Sequence, residues 1–267
     1  MIFDAPKRLS PSGISSFLEC PLAFKFKYID KLAEPPNIFA VKGLLIHKIL
    51  EELFKKDLPF RNIEIAYKLL DSCIPNFYQD YLPYFDSEEL LQALKSSIDY
   101  IDCYFAIEQP ALVSCIGVET VVELTDSDLS LYGIIDRIDL NTNGTVTIVD
   151  YKTGRTPTIY DEKHKMVGVN FYALLYWKNF GILPEEIKLL YLKEKTILFS
   201  KIDETSIEFT FKKIKAIAKA IELCCETGRF MPKQSFKCQY CFFQKYCPLY
   251  GGDPEVAKVE LSTRVTS

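Results

Sequence analysis

The chain has 267 residues, 48% hydrophobic and 25% charged, enough apolar material for one large domain, which excludes a disordered chain. A net charge of −4 and a pI near 5.4 exclude a general nucleic-acid coat protein, so any DNA binding must come from a local basic surface or from metal. No run approaches the roughly 20 apolar residues of a membrane span, and MIFDAPKRLS lacks the apolar core of a signal peptide; a cytoplasmic chain without a membrane partner is expected.

Ser10-Pro11 opens a short helix, with Ser10 as N-cap and Pro11 in the first turn. Pro21 starts a second, PLAFKFKYIDKL, which puts Cys20 at a helix N-terminus, where backbone N–H groups favour a thiolate. After the break at Glu34-Pro35-Pro36-Asn37, Gly43 to Phe54 reads as an amphipathic helix with the stripe Ile46, Ile49, Leu50, Leu53 and Phe54. His47 lies at the edge of that stripe, with Glu51 one turn later on the same side. A lone histidine there is more often a packed or capping residue than a ligand. Residues 55–110 read as a helical insert rich in aromatics, which either pack on the core or offer a base-stacking surface. Val113 to Leu124 is the first strand and contains Glu119.

The stretch LYGIIDRIDLNTNGTVTIVDYKTG, Leu131 to Gly154, reads as two strands and a turn. With a period of two, Tyr132, Ile134, Asp136, Ile138 and Leu140 share one face, as do Val146, Ile148, Asp150 and Lys152. A two-residue Asn143-Gly144 turn would set Asp136 against Tyr151 and misalign the faces. A three-residue loop, Thr142-Asn143-Gly144 with Gly144 left-handed, sets Asp136 against Asp150 and aligns them. Two carboxylates opposed at roughly 5 Å repel, and Mg²⁺ or Mn²⁺ between them would resolve the repulsion. Lys152 points into the same site, where an ammonium can stabilise charge on a phosphate or orient a water. The plain alternative is a surface salt bridge, against which the apolar partners argue. Together these are the parts of a phosphodiester-hydrolysing site.

A helix over about 161–179, strands at Glu186 to Lys193 and Thr196 to Ile202, and a helix from Ser206 to Thr227 closed by Gly228 complete the pattern. His164, among charged neighbours, reads as solvated. Nine cysteines are many for a reducing compartment, where structural disulfides are rare. Cys238, Cys241 and Cys247 have metal-site spacing, and Cys20 is the candidate fourth ligand; four thiolates can hold Zn²⁺ or an iron–sulfur cluster, and spacing does not choose. The other five, Cys73, Cys103, Cys115, Cys224 and Cys225, read as small buried hydrophobes.

Gly133-Ile134-Ile135-Asp136 followed by Asp150-Tyr151-Lys152-Thr153-Gly154 resembles the GxxD and (D/E)xK motifs of the PD-(D/E)XK nucleases. It is most similar to their RecB-like branch, with AddB-type and CRISPR-associated adaptation nucleases, over about Leu9 to Pro248. The resemblance implies an α/β fold: a central mixed sheet flanked by helices in one nuclease domain over 1–267, its termini tied by a 4Fe–4S cluster on Cys20, Cys238, Cys241 and Cys247, with Zn²⁺ as the alternative. It makes His47, in a GxxxH helix from Gly43, a metal ligand with Asp136, Asp150 and the Tyr151 carbonyl, and Lys152 the assistant to the attacking water. Glu119 would be a second-layer or DNA contact. Tyr172 fits half of a QxxxY motif for DNA or water, while Gly168 stands where its glutamine belongs.

The reading is therefore a Mg²⁺- or Mn²⁺-dependent deoxyribonuclease, an exonuclease on single-stranded DNA or free ends, in repair, recombination or defence. No P-loop signature is present, so a helicase or recombination partner would be a separate protein. The rival is a non-catalytic DNA-binding or partner-docking module of the same fold; the retained acids and lysine favour the enzyme, and Gly168 favours the rival.

Overall fold

A computed structural model describes residues 2–127, 129–156 and 162–262, with side chains for the same residues except 162–167 and 262. In chain order come α1 (Pro11–Glu19), α2 (Pro21–Phe24), α3 (Ile38–Phe54), α4 (Ile63–Tyr81), α5 (Ser87–Lys95) and α6 (Ile98–Ile107). Strands β1 (Cys115–Asp126), β2 (Leu129–Leu140) and β3 (Val146–Lys152) follow, then α7 (Glu162–Phe180), β4 (Glu186–Tyr191), β5 (Thr196–Lys201), α8 (Glu204–Thr227) and α9 (Pro254–Ser262). Two compact units emerge: Met1–Glu34 with Glu123–Gly133 and Glu208–Ser267, and Pro35–Val122 with Ile134–Ile207.

The five strands lie in the order β1-β2-β3-β4-β5. β2 and β3 are antiparallel, β3 and β4 parallel, β4 and β5 antiparallel, so the sheet is mixed as expected. A parallel pair needs a crossover, and α7 supplies it between β3 and β4. β3 is central and buried along nearly its whole length, which explains its unbroken Val-Thr-Ile-Val run. In the second unit, Val41, Leu45, Ile49 and Leu53 of α3 form one core with Ala66 and Leu70 of α4, Leu90 and Leu94 of α5, and Ile101 and Tyr104 of α6. Val149 and Tyr151 of β3 and Leu190 of β4 complete it from the sheet. Alternation then puts Ile148, Asp150 and Lys152 on the other face.

In β3 both faces are buried, and in β2 the face expected to be buried holds Ile138 in the core but is the less buried of the two. In β2 Ile134 and Leu140 are exposed, while Leu131, Ile135, Arg137 and Asp139 of the alternate face are buried. The cause is the layer of helices on that face, which a strand's own pattern does not reveal.

In the first unit Ser10 caps α1 as expected, its side chain accepting from the Gly13 N–H. The second helix is shorter than expected: α2 gives way to a π-helical turn over Lys25–Ile29. Cys20, Cys238, Cys241 and Cys247 line one cavity of about 370 Å³. They do not form a metal-ligand group. Among the described residues, the one set of three ligand atoms within 4.8 Å of one another is His47, Glu119 and Asp136, with no cysteine in it. All four are free thiols, and burial pushes the Cys241 thiol up, toward its neutral form. The expected 4Fe–4S cluster, its Zn²⁺ alternative and the iron–sulfur-tied termini are therefore corrected. What joins the two end segments is apolar packing. Leu22, Phe26 and Leu32 meet Phe243, Tyr246, Ala257 and Leu261, with Cys20, Cys241 and Cys247 packed alongside as small hydrophobes. Lys237 pairs with Glu19, and the Lys233 ammonium donates to the Leu18 carbonyl at 2.8 Å.

Candidate metal centre

The site is assembled from three strands and two helices of the second unit. Asn37 caps α3, accepting from the Phe39 N–H at 2.8 Å, so the helix starts five residues earlier than its stripe suggested. At Gly43 an added Cβ would sit 3.0 Å from Thr153 Oγ1, just past the end of β3. The small residue lets helix and strand end approach closely, and His47, about one turn on, reaches the strand. Its Nε2–H donates to the Tyr151 carbonyl at 3.1 Å, and Nδ1 lies 3.5 Å from Asp136 Oδ2.

The hairpin has the expected loop. Arg137 pairs with Val149 and Leu140 with Val146, Asn141 N–H donates to the Thr145 carbonyl, and Gly144 has φ +83°. Continued by one residue, this register sets Asp136 opposite Asp150. Asp136 Oδ2 accepts from the Tyr151 N–H at 2.8 Å, which fixes that carboxylate against β3. Asp150 is buried. The Lys152 ammonium lies 2.5 Å from Asp150 Oδ2, a close ion pair.

β1 contributes Glu119, whose backbone takes φ +45°. A left-handed glutamate inside a strand is strained, and such strain concentrates at functional sites. The distortion aims the half-buried side chain at His47 and Asp136: one ligand atom from each of the three lies within 4.8 Å of the others. Asp150 lies outside that group, held toward Lys152. From α7, Tyr172 has its hydroxyl pKa raised by burial and then by the charges of Asp150, Asp136 and Glu119, so it belongs to the same surroundings. At Gly168 an added Cβ would meet nothing within 4 Å, so the glutamine position is open space. The side chain of His164 lies outside the described residues.

The electrostatics point one way. Burial pushes the Asp150 carboxyl up, Lys152 pulls it down, Asp136 adds to the rise, and the net is upward. Glu119 is likewise raised by burial and by Asp136. Burial lowers His47, but its hydrogen bond to Asp136 and the charges of Asp136, Asp150 and Glu119 hold it above its ordinary value. Burial also lowers Lys152, and Asp150 outweighs it, so the side chain stays an ammonium. Burial first, and then the neighbouring carboxylate charge, raise Asp150 and Glu119, and the three carboxylates around one ammonium hold His47 up against its own burial. Carboxylate oxygens, an imidazole and a strand carbonyl fit a hard divalent cation.

Sequence reading underrated Glu119, which stands among the candidate ligands; a carboxylate just upstream of a metal-type hairpin was the available signal. It missed Arg137 altogether, although Arg137 and Asp139 interrupt the buried face of β2.

A sequence profile of the PD-(D/E)XK nuclease superfamily matches residues 8–248. No curated protein matches the chain significantly. Among solved structures, a candidate exonuclease from Eubacterium rectale aligns over 89% of this chain and 87% of its own, at 11% identity and a TM-score of 0.58, a likeness of fold. The crystal structure of SSO0001 aligns over 92% of this chain and 88% of its own, at 16% identity and a TM-score of 0.43.

Proposed function

Because this chain belongs to the PD-(D/E)XK nuclease superfamily, we propose that it is a Mg²⁺- or Mn²⁺-dependent deoxyribonuclease that hydrolyses phosphodiester bonds. The observation that carries the reading is the convergence of His47, Glu119 and Asp136 beside the Asp150–Lys152 pair. His47, Glu119, Asp136 and the Tyr151 carbonyl would hold the cation, with Asp150 available to it from its pair with Lys152. Such a cation polarises a phosphoryl oxygen and makes a nearby water more acidic.

The chain's own groups do the rest. Asp136 is held in place by the Tyr151 N–H, so it needs little reorganisation when a cation enters. Lys152 is kept charged by Asp150 and is half-exposed. It is therefore placed to orient water and to offset phosphate charge. Tyr172, its hydroxyl kept protonated, can donate to a phosphate or a water.

DNA with free ends is the proposed substrate. The test incubates purified protein with linear and circular DNA, single- and double-stranded, with Mg²⁺, with Mn²⁺ and with chelator. Metal-dependent loss of linear DNA is expected. The open space at Gly168 favours a second reading, a docking module of the same fold; DNA binding without cleavage under either metal would decide for it.

A further inference from the structure

Arg137 is fully buried in β2, one residue after Asp136 and on the opposite face of the sheet. Each of its five N–H groups has an acceptor. Nε and Nη2 bind Asp139 at 2.9 Å each, Nη1 and Nη2 bind Glu108 at 2.6 and 3.0 Å, and Nη1 also donates to the Tyr151 hydroxyl at 2.8 Å. Glu108 accepts further from the Tyr104 hydroxyl at 2.7 Å and pairs with Lys188 of β4. The Phe54 ring of α3 lies under the guanidinium at 4.3 Å. The cluster holds two cations and two carboxylates, so it is neutral and saturated. It links α3, the segment after α6, and strands β2, β3 and β4.

Tyr151 passes through the sheet between this cluster and the metal centre. Its hydroxyl is fixed by Arg137, while its backbone N–H holds Asp136 and its carbonyl receives His47. Its ring packs edge-on against both His47 and Tyr104, at centroid distances of 5.9 and 6.0 Å. One residue therefore sets the positions of two candidate ligands and supplies a third, and its free rotation is removed from behind.

We propose that the buried Arg137–Glu108–Asp139 cluster acts through the Tyr151 hydroxyl as a positioning device, holding the Tyr151 backbone where it aligns His47 and Asp136 for the cation. This rests on the metal-site reading given above. Arg137 and the Tyr151 hydroxyl touch neither substrate nor cation; they act through the strand. Two forked carboxylate pairs fix the guanidinium in one plane, which a lysine's single ammonium does not reproduce.

The test uses the full chain and Mn²⁺ as probe, with affinity measured by titration calorimetry on metal-free protein. Tyr151→Phe keeps the ring and the packing and removes only the hydroxyl. It is expected to weaken Mn²⁺ binding about tenfold, the scale on which outer partners tune metal ligands, with a melting temperature near wild type. Without metal, the His47 imidazole resonances and the Tyr151 amide exchange rate should shift in the same variant. Leu90→Ala, which opens the remote end of the core, should lower the melting temperature and leave Mn²⁺ affinity and the His47 signals unchanged. Wild-type Mn²⁺ affinity with unshifted His47 signals in Tyr151→Phe would overturn the positioning role alone. Equal weakening by Leu90→Ala would overturn it as well, because the effect would then be general softening. Absence of Mn²⁺ binding in the wild type would overturn the metal-site reading and this inference together.

Discussion

At the scale of single residues, the proposed chemistry falls on Asp150 and Lys152, which are expected to contribute little of the stability. Lys152 is half-exposed, and its pair with Asp150 stands beside a surplus of negative charge. Asp150→Ala and Lys152→Ala are each expected to cut cleavage by roughly 10²–10³-fold, the usual loss when one preorganised electrostatic group goes. Both should melt within a few degrees of wild type; a nuclease assay and a melting curve on the same preparation check this. Glu119 makes a sharper case. Its φ of +45° costs on the order of 1–3 kcal/mol for a residue with a Cβ. Glu119→Gly removes that strain and the carboxylate together. We expect a melting temperature no lower than wild type and weaker Mn²⁺ binding, measured by calorimetry. A clear drop in melting temperature would show that the side chain supports the fold.

At the scale of elements, the seat of α3 against the end of β3 decides whether His47 arrives. Gly43 sets that distance through Thr153 Oγ1. Gly43→Ala should be nearly neutral. The hydroxyl can turn aside, and alanine gains about 1 kcal/mol of helix propensity over glycine. Gly43→Val has no such escape: a branched side chain would push the helix off the strand end, lowering both the melting temperature and Mn²⁺ affinity. The junction of the two end segments is a second seat. Phe26 is buried and packs against Phe243 with the rings tilted, centroids 4.9 Å apart. Phe26→Ala should cost about 3–5 kcal/mol, the price of a large ring lost from a packed core, read by urea denaturation.

At the scale of the whole molecule, acid stability follows from the cluster behind the sheet. Burial raises the Glu108 carboxyl, but Arg137 and Lys188 outweigh it and bring it from 4.5 to about 2. A carboxylate held low in the folded state stabilises fully above its unfolded pKa and loses that contribution as pH falls through the folded one. The window is thus from about pH 4.5 down to about 2, and the contribution is roughly 3 kcal/mol. Asp139, raised by burial, works the other way and reduces the net effect. Urea denaturation between pH 7 and pH 3 should show a steeper loss for wild type than for Glu108→Gln. The variant is also expected to be less stable at neutral pH, since it leaves Arg137 short of a charge partner. Parallel pH curves for the two proteins would mean that Glu108 is not held low.

The sequence by itself determined the strands, their alternation and the loop that sets Asp136 across from Asp150, because period-two patterning and a left-handed glycine are local properties. It also placed His47 on a helix face and Tyr172 on the helix after β3. It could not determine which face of β2 is the more buried: helices from distant parts of the chain cover the Arg137 face, and coverage is not written in a strand. It could not show that Glu119 joins His47 and Asp136, since that depends on a strained backbone within β1. It misread the cysteines, because close spacing along the chain fixes neighbourhood and not the convergence of sulfur atoms. It took the tertiary structure to show that Cys20, Cys241 and Cys247 pack among Leu22, Phe26 and Phe243, while the side chains that converge are an imidazole and carboxylates. Ligand geometry is set where separate elements meet, and those meetings are governed by packing over the whole core.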